Sequence, residues 1–316
     1  MTPSSNVQLH EIDADSAGQR LDNYLIKTLK GLPKSRIYRI IRKGEVRING
    51  KRCKPEVKLA AGDLIRIPPI QHLPARSAAV GHFNDIDSLV VYEDDHLLII
   101  NKPAGMAVHG GSGVNVGVIE SLRHARSEGN RLELVHRLDR GTSGCLMVSK
   151  RRSYLRLLQD ALRSPGQIKK HYLAVVHGRW SRRMLQIDQP LLTSSIAGKE
   201  RVTRVNGQGK DAVTDFSLLE ANDEMSLVRA SPRTGRTHQI RVHARWARHP
   251  LVGDTRYGDH TLDQTSGIEG RLMLHAAELH IPVLGNRPAI HAKAPMDEDF
   301  LLKVNTNFSV KSFYIQ

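Results

Sequence analysis

Along one short stretch, residues 18–70, the hydrophobic period changes from that of a helix to that of a strand, so this stretch must join helices and a hairpin in one small unit. Leu21, Leu25 and Leu29 fall at helical spacing with Tyr24 beside them, which predicts an amphipathic helix over Arg20 to Lys30, ended near Gly31 and Pro33. Ser35 can cap a second helix in which Ile37, Ile40 and Ile41 form the apolar stripe. Arg36, Arg39 and Lys43 recur at i, i+3, i+7 on another face of it, and Gly44 stops it. Val46 and Ile48 then alternate with Arg47 into Asn49-Gly50, a strong hairpin signal, and Lys51, Arg52 and Lys54 crowd the return strand. A last strand, Leu64 to Ile67, ends at Pro68 and Pro69.

Charge is concentrated on the same stretch. Lys and Arg total 47 against 32 acids, a formal +15, and residues 18–70 hold 14 basic and 4 acidic residues, so +10 of the excess sits there. A single basic helical face is usually no more than solvated. Here helix and hairpin are basic together, which favours a polyanionic partner, RNA or DNA. The order of helix, basic helix, Asn-Gly hairpin and Gly-Asp strand resembles the small RNA-binding domain of a small-subunit ribosomal protein, reused in tRNA synthetases and rRNA-modifying enzymes. That resemblance implies binding to structured RNA through shape and phosphates, with Arg36, Arg39, Lys43, Lys51 and Arg52 facing it.

At 316 residues the chain has room for about two domains. Residues 1–17 are polar and acidic and read as a tail; residues 71–88, without periodicity, read as a linker; a second domain is expected over 89–316. No apolar run approaches the roughly 20 residues that span a bilayer, and the N-terminus lacks the order of a signal peptide, so a cytoplasmic protein with no membrane association is expected. Cys53 and Cys145 are far apart and form no CxxC, which argues against a disulfide framework or a zinc site.

In the second domain, Leu89 to Tyr92 and Leu97 to Asn101 flank the turn EDDH, and a strand over Leu132 to Leu138 leads into HRLDRGTSG before CLMVSK resumes strand character. A helix beginning at Ser153, with Leu155, Leu158 and Leu162 inward, precedes a strand in HYLAVVHG. Strands and helices mix without a βαβ repeat, which predicts an α+β fold on a largely antiparallel sheet.

Asp139 stands out. Arg137 and Arg140 flank it, Thr142 and Ser143 offer hydroxyls, and Gly141 and Gly144 let the backbone turn sharply. A held anionic aspartate suits a nucleophile or a cation stabiliser; taken alone, it reads equally as an ion pair in a turn. Arg241, Arg245 and Arg248 share a helical face in GRTHQIRVHARWARH. They can form a phosphate-facing stripe or send an arginine to Asp139. Tyr172 in KKHYLAVVHG fits a half-buried strand aromatic. Other chemistries fit poorly: there is no HExxH, no GxxxxGK[ST], no GxSxG and no convincing carboxylate cluster for a metal, with EDD read as a hairpin turn.

NKPAGMAVHGG, HRLDRGTSG, KKHYLAVV and GRTHQIRVH, in that order, resemble the pseudouridine synthases of structured RNA, and behind the RNA-binding module they resemble the large-subunit rRNA type. Position 141 is glycine where that type commonly has aspartate. The resemblance implies a small basic helix-helix-hairpin RNA-binding domain followed by a mixed, largely antiparallel-sheet catalytic domain. It implies isomerisation of uridine without a cofactor or metal, on large-subunit ribosomal RNA or its assembly intermediate, by a monomer. Asp139 then matches the aspartate that attacks the nucleoside, Tyr172 the tyrosine that stacks on the base and is implicated in removing its C5 proton, and Arg241 the partner of the aspartate. Arg137 matches the residue that holds the helix open, with Arg236 and His238 also expected on RNA. The contrasting reading is a binding protein of ribosome assembly whose second domain is catalytically silent; the presence of Asp139, Tyr172 and Arg241 disfavours it.

Overall fold

The computed structural model describes residues 7–29, 32, 34–69, 85–110, 116–194, 202–266, 268 and 270–309, the side chains at 34 and 35 excepted. The chain divides into two compact units, Met1–Val80 and Gly81–Gln316. The first contains β1 (Gln8–Glu11), α1 (Leu21–Thr28), α2 (Lys34–Arg42), β2 (Arg47–Ile48), β3 (Lys51–Arg52) and β4 (Leu64–Ile67). The four strands form an antiparallel sheet in the order β1-β4-β2-β3. The leucines of α1 and the isoleucines of α2 meet Val46, Ile65 and Ile67 in one core, as their spacing requires. Buried Asp22 ties the start of α1 to α2: it accepts from Arg20 Nε and Nη2 at 3.1 and 2.7 Å and from the Tyr38 hydroxyl at 3.0 Å. The Arg20 hydrogen bonds hold its carboxyl below the usual carboxylate range.

The Asn49-Gly50 turn has φ of 50° and 76°, the paired left-handed conformation of a two-residue hairpin. Asn49 also locks the turn to the start of β4, donating from Nδ2 to Asp63 and accepting the Leu64 N–H, both at 2.8 Å. One difference from the sequence reading is at the N-terminus. Residues 8–12 are not a tail: β1 pairs along the whole of β4, and Ile12 is buried. The tetrapeptide QLHE half-buries alternate residues only, a pattern too short and too polar to register as a strand. Residues 71–84 of the expected linker lie outside what is described, whereas its last residues enter the 3₁₀ turn Ile86–Leu89; α2 begins at Lys34, so Ser35, expected as its cap, lies within the helix.

The second unit begins with a 3₁₀ turn, Ile86–Leu89, whose Ile86 is buried. It continues through β5 (Val90–Glu93), β6 (Leu97–Lys102), α3 (Val118–Ala125), β7 (Glu133–Leu134), β8 (Ser143–Ser149), α4 (Arg152–Arg163) and β9 (Lys169–His177). Then come β10 (Gln186–Asp188), β11 (Leu191–Ser194), β12 (Val202–Val205), β13 (Val213–Ala221), β14 (Met225–Pro232), α5 (Gln239–Trp246), α6 (His260–Thr265), β15 (Leu274–Ile281), β16 (Ile290–Lys293) and α7 (Glu298–Asn307). The main sheet runs β10-β13-β14-β9-β15-β8-β6-β5, with β16 beside β15 and β7 beside β8. Every pairing in it is antiparallel except β15 with β8, so the sheet is largely antiparallel as expected.

The expected strand Leu132 to Leu138 shrinks to Glu133–Leu134. Past Val135 a side chain replaces the ladder: His136 Nε2 accepts the Met147 N–H at 3.1 Å. Burial pushes the pKa of His136 down to about 4, which keeps the ring a neutral acceptor. The chain then leaves the sheet and forms the loop that carries Asp139.

Candidate active site

The Asp139 loop, between β7 and β8, is held from several sides. The Thr142 N–H donates to the Asp139 carbonyl at 3.1 Å, and the Gly105 N–H donates to the Arg140 carbonyl at 2.8 Å. Arg140 Nε returns a bond to the Gly105 carbonyl at 2.8 Å. Beneath the loop, fully buried Lys102 donates from Nζ to the carbonyls of Pro103, Met106 and Arg140 at 2.8, 2.9 and 3.2 Å. Burial pushes the Lys102 ammonium down to about 7, an effect partly countered by Asp139.

Only one of the two glycines expected to shape the loop has an unusual backbone angle. Gly144 has φ of +105°, and a Cβ there would lie 2.2 Å from the Ala276 carbonyl oxygen, so glycine is what lets β8 meet β15 in parallel behind Asp139. At Gly141 φ is not positive; a Cβ would sit 3.2 Å from Leu272 Cβ, a tight contact that a shift of a few tenths of an ångström relieves.

Asp139 opens into a cavity of about 580 Å³, with Tyr172 from β9 and His238, Gln239 and Arg241 around α5 in its wall. Its Oδ2 accepts from Arg241 Nη1 at 2.9 Å. The guanidinium is held on its other edge by Asp254, through Nε–Oδ2 and Nη2–Oδ1 bonds of 2.7 Å each. Asp254 is 0% exposed and takes the Arg256 and Tyr257 N–H groups, both at 3.0 Å. Burial works against the charge on both partners. On Arg241 the bonds and charge of Asp254, with those of Asp139, outweigh burial and raise the pKa; on Asp254 those of Arg241 outweigh it and lower the pKa. The sequence left open whether Arg241 faces phosphate or Asp139, and the second geometry is the one found.

His238 caps α5 in the left-handed conformation, φ 55°, which turns its ring toward the aspartate: Nε2 is 3.7 Å from Asp139 Oδ1. Tyr257 accepts the Thr203 N–H at 3.0 Å and meets His238 Nδ1 through its hydroxyl at 2.7 Å. Assigned from that network, the Tyr257 hydrogen points at Nδ1 and the ring proton sits on Nε2. Burial pushes the His238 pKa below the usual imidazole value despite the pull of Asp139. The turn before the helix is fixed by buried Gln239, whose Oε1 takes Thr234 Oγ1 at 2.8 Å and the Arg236 N–H at 3.0 Å.

Tyr172 shares the cavity wall. Burial raises its pKa, with Asp139 adding to the effect, so the phenol keeps its proton at neutral pH. Arg137 and Arg236 are exposed at the rim; Arg236 also donates from Nε to the Asp211 carbonyl at 2.9 Å. The arginine stripe, the other alternative open from sequence, does not form. Arg245 donates to the Tyr257 carbonyl at 2.8 Å, and Arg248 lies beyond the end of α5 with φ 65°. Asp254, Tyr257, Lys102 and Lys170 were not read as site residues from sequence. Lys170 lines the cavity, and burial pushes it down to about 8. The doubled lysine of KKHY was its only signal, and Asp254 gave none, because its partner lies in a different motif.

In the first unit, Arg39, Lys43, Lys51 and Arg52 are exposed and Arg36 is half-buried. The Arg52 side chain lies over Gly44, where an added Cβ would come within 2.5 Å of its Nε. Helix end and hairpin therefore present one basic surface. Both thiols, Cys53 and Cys145, are unpaired. Asp94 of the EDD turn accepts the His96 and Leu97 N–H groups at 2.7 Å each, a turn-forming role as expected. No helix among the described residues is long and apolar enough to cross a membrane.

Comparison with known proteins bears on both units. The family model of RNA pseudouridylate synthase matches residues 96–246, and that of the S4 domain matches residues 19–65. Ribosomal large subunit pseudouridine synthase C of Escherichia coli (strain K12) is 50% identical over 305 residues, covering 94% of this chain and 95% of the relative. The protein of that name from Yersinia pestis is 48% identical over 314 residues, covering 96% and 98%. A solved structure, human RNA pseudouridylate synthase domain containing 4, matches with a TM-score of 0.57 at 24% identity, over 70% of this chain and 94% of that one, a likeness of fold.

Proposed function

The chain belongs to the RNA pseudouridylate synthase family, and on that premise we propose that it isomerises uridines to pseudouridines in large-subunit ribosomal RNA. The observation that carries the assignment of roles is the Arg241 guanidinium fixed between buried Asp254 and the cavity-facing Asp139. Asp139 attacks the nucleoside, the bond from ribose C1′ to uracil N1 breaks, and the detached uracil stays in the cavity. The base turns and is rejoined through C5; the C5 proton leaves, N1 gains one, and Asp139 is released. The net change is an isomerisation. Arg241 aims the carboxylate and does not touch the base.

Tyr172 is suited to stack on the flipped base. Burial keeps its phenol protonated in the RNA-free protein, so a part in removing the C5 proton would first require the phenol to lose its own. A uridine in a helix hides its sugar and C5 edge, so the nucleotide has to be extruded at a cost of a few kcal/mol. Arg137 fills the gap in this reading, which its exposure and its position in the cavity lining support. Binding of structured RNA by the basic surface of the first unit offsets that cost. A monomer acting on rRNA or its assembly intermediate in the cytoplasm fits this reading.

Incubation with rRNA carrying tritium on uridine C5 should release label in the presence of a metal chelator; no release from any large-subunit fragment would remove the assignment. For the docking surface, the triple change Lys43→Gln, Lys51→Gln, Arg52→Gln should weaken rRNA binding. It should also reduce the slope of log affinity against log salt by about 0.7–0.9 for each phosphate that the variant no longer neutralises. An unchanged slope in a filter-binding series would place the RNA elsewhere.

A further inference from the structure

A second cluster of side chains lies away from Asp139, where β16 runs beside the interior strand β15. Their register sets His280 directly opposite His291 and Glu278 opposite Lys293. Glu278 and His280, two residues apart on one strand, project from the same face as His291. Glu278 Oε2 is 3.3 Å from His280 Nε2 and 3.3 Å from His291 Nε2. The two rings stack, with centroids 3.9 Å apart and planes at 17°, so both present Nε2 to one oxygen.

Charge-assisted hydrogen bonds close to about 2.7–2.9 Å, and these contacts stay longer. A separation of 3.3 Å is instead close to the edge of a tetrahedron whose ligands lie about 2.0–2.1 Å from a central ion, which is roughly 3.4 Å. All three ligand atoms lie within 4.8 Å of one another. Stacked imidazolium rings repel, whereas neutral imidazoles coordinated to one cation can lie side by side.

We propose that Glu278, His280 and His291 bind a divalent transition-metal ion of the zinc class, using two imidazoles and one carboxylate. That donor set suits zinc, nickel or copper over magnesium or calcium. The side chains are 27%, 38% and 45% exposed, so coordination positions stay open to water. His171, on β9, borders the trio with its ring 5.4 Å from His280 and its Nδ1 bonded to Ser231 at 2.7 Å. Arg229, Lys169 and Lys293 bring positive charge nearby, which limits affinity. His171 and Tyr172 are consecutive on β9 and point to opposite faces, so the ion stays off the reacting atoms and instead ties β16 to β15.

The full chain, freed of metal by chelation and dialysis, is titrated with Zn²⁺ against a chromophoric chelator, and with Co²⁺ by visible absorption. One Zn²⁺ per chain is expected, at least tenfold weaker in His280→Ala and in His291→Ala, with Glu278→Gln also weakened. Cobalt should give visible bands that the double variant His280→Ala/His291→Ala lacks, and Mg²⁺ should not compete. Matching melting temperatures of the metal-free proteins separate loss of the site from loss of fold. With 16 histidines in the chain, stoichiometry decides: equal zinc uptake by wild type and the double variant, or no uptake by wild type, overturns the site.

Discussion

Asp139→Asn is expected to lower tritium release from C5-labelled uridine in rRNA by at least about a thousandfold while leaving RNA affinity within about twofold. Asparagine has the same shape and its Oδ1 can still accept from Arg241 Nη1, now 2.9 Å from the aspartate, so the cavity and loop should persist. What disappears is the negative oxygen able to bond to the nucleoside. Because RNA binding is assigned to the basic surface around Gly44 and Arg52, chemistry and binding should separate cleanly in this variant. Equal release from the two proteins would take Asp139 out of the reaction.

Arg241→Met is the second large effect, and it strikes fold and activity together. The guanidinium is 10% exposed and is shared by two carboxylates, one of them 0% exposed. Its removal leaves Asp254 with backbone N–H partners but no counter-charge, a cost of about 3–5 kcal/mol. Urea denaturation should show it as a lower midpoint with an unchanged slope. The pH dependence has a definite sign. In the wild type the Asp254 pKa is depressed, so its contribution is present above the ordinary aspartate value of about 3.9 and is lost as pH falls through the lower folded value. In the variant, burial is opposed only by the Arg256 and Tyr257 N–H bonds, and with the guanidinium gone the balance on Asp254 moves towards its neutral form, so the stability gap to wild type should narrow as pH falls from 7 towards about 4. A gap constant with pH would mean that the lost energy is packing and not charge. Tritium release should fall as well, because Asp139 loses the group that aims it.

Elements that state their own period were legible without coordinates. The stripes of α1 and α2, the Asn49-Gly50 turn and strand β4 all lie where local spacing put them, since each is decided within a few residues. Asp139, Tyr172 and Arg241 were found through four ordered motifs, and the cavity brings the three together. What escaped depends on distant partners. β1 is a strand because β4 offers it an edge, β7 is cut short because His136 takes over a backbone bond, and Asp254 matters because a helix 13 residues earlier in the chain delivers an arginine to it. The left-handed cap at His238 breaks the usual preference for small polar residues, and nothing in its neighbours announces that.

The pairing of β1 with β4 decides how the first unit can be handled in isolation. A fragment begun at residue 18 would bare the backbone edge of β4 beside Ile65 and Ile67, a template on which a foreign strand can zip and start aggregates. Fragments for crystallisation or affinity work should therefore keep residues 7–17, and a purification tag should be joined ahead of them or at the far end.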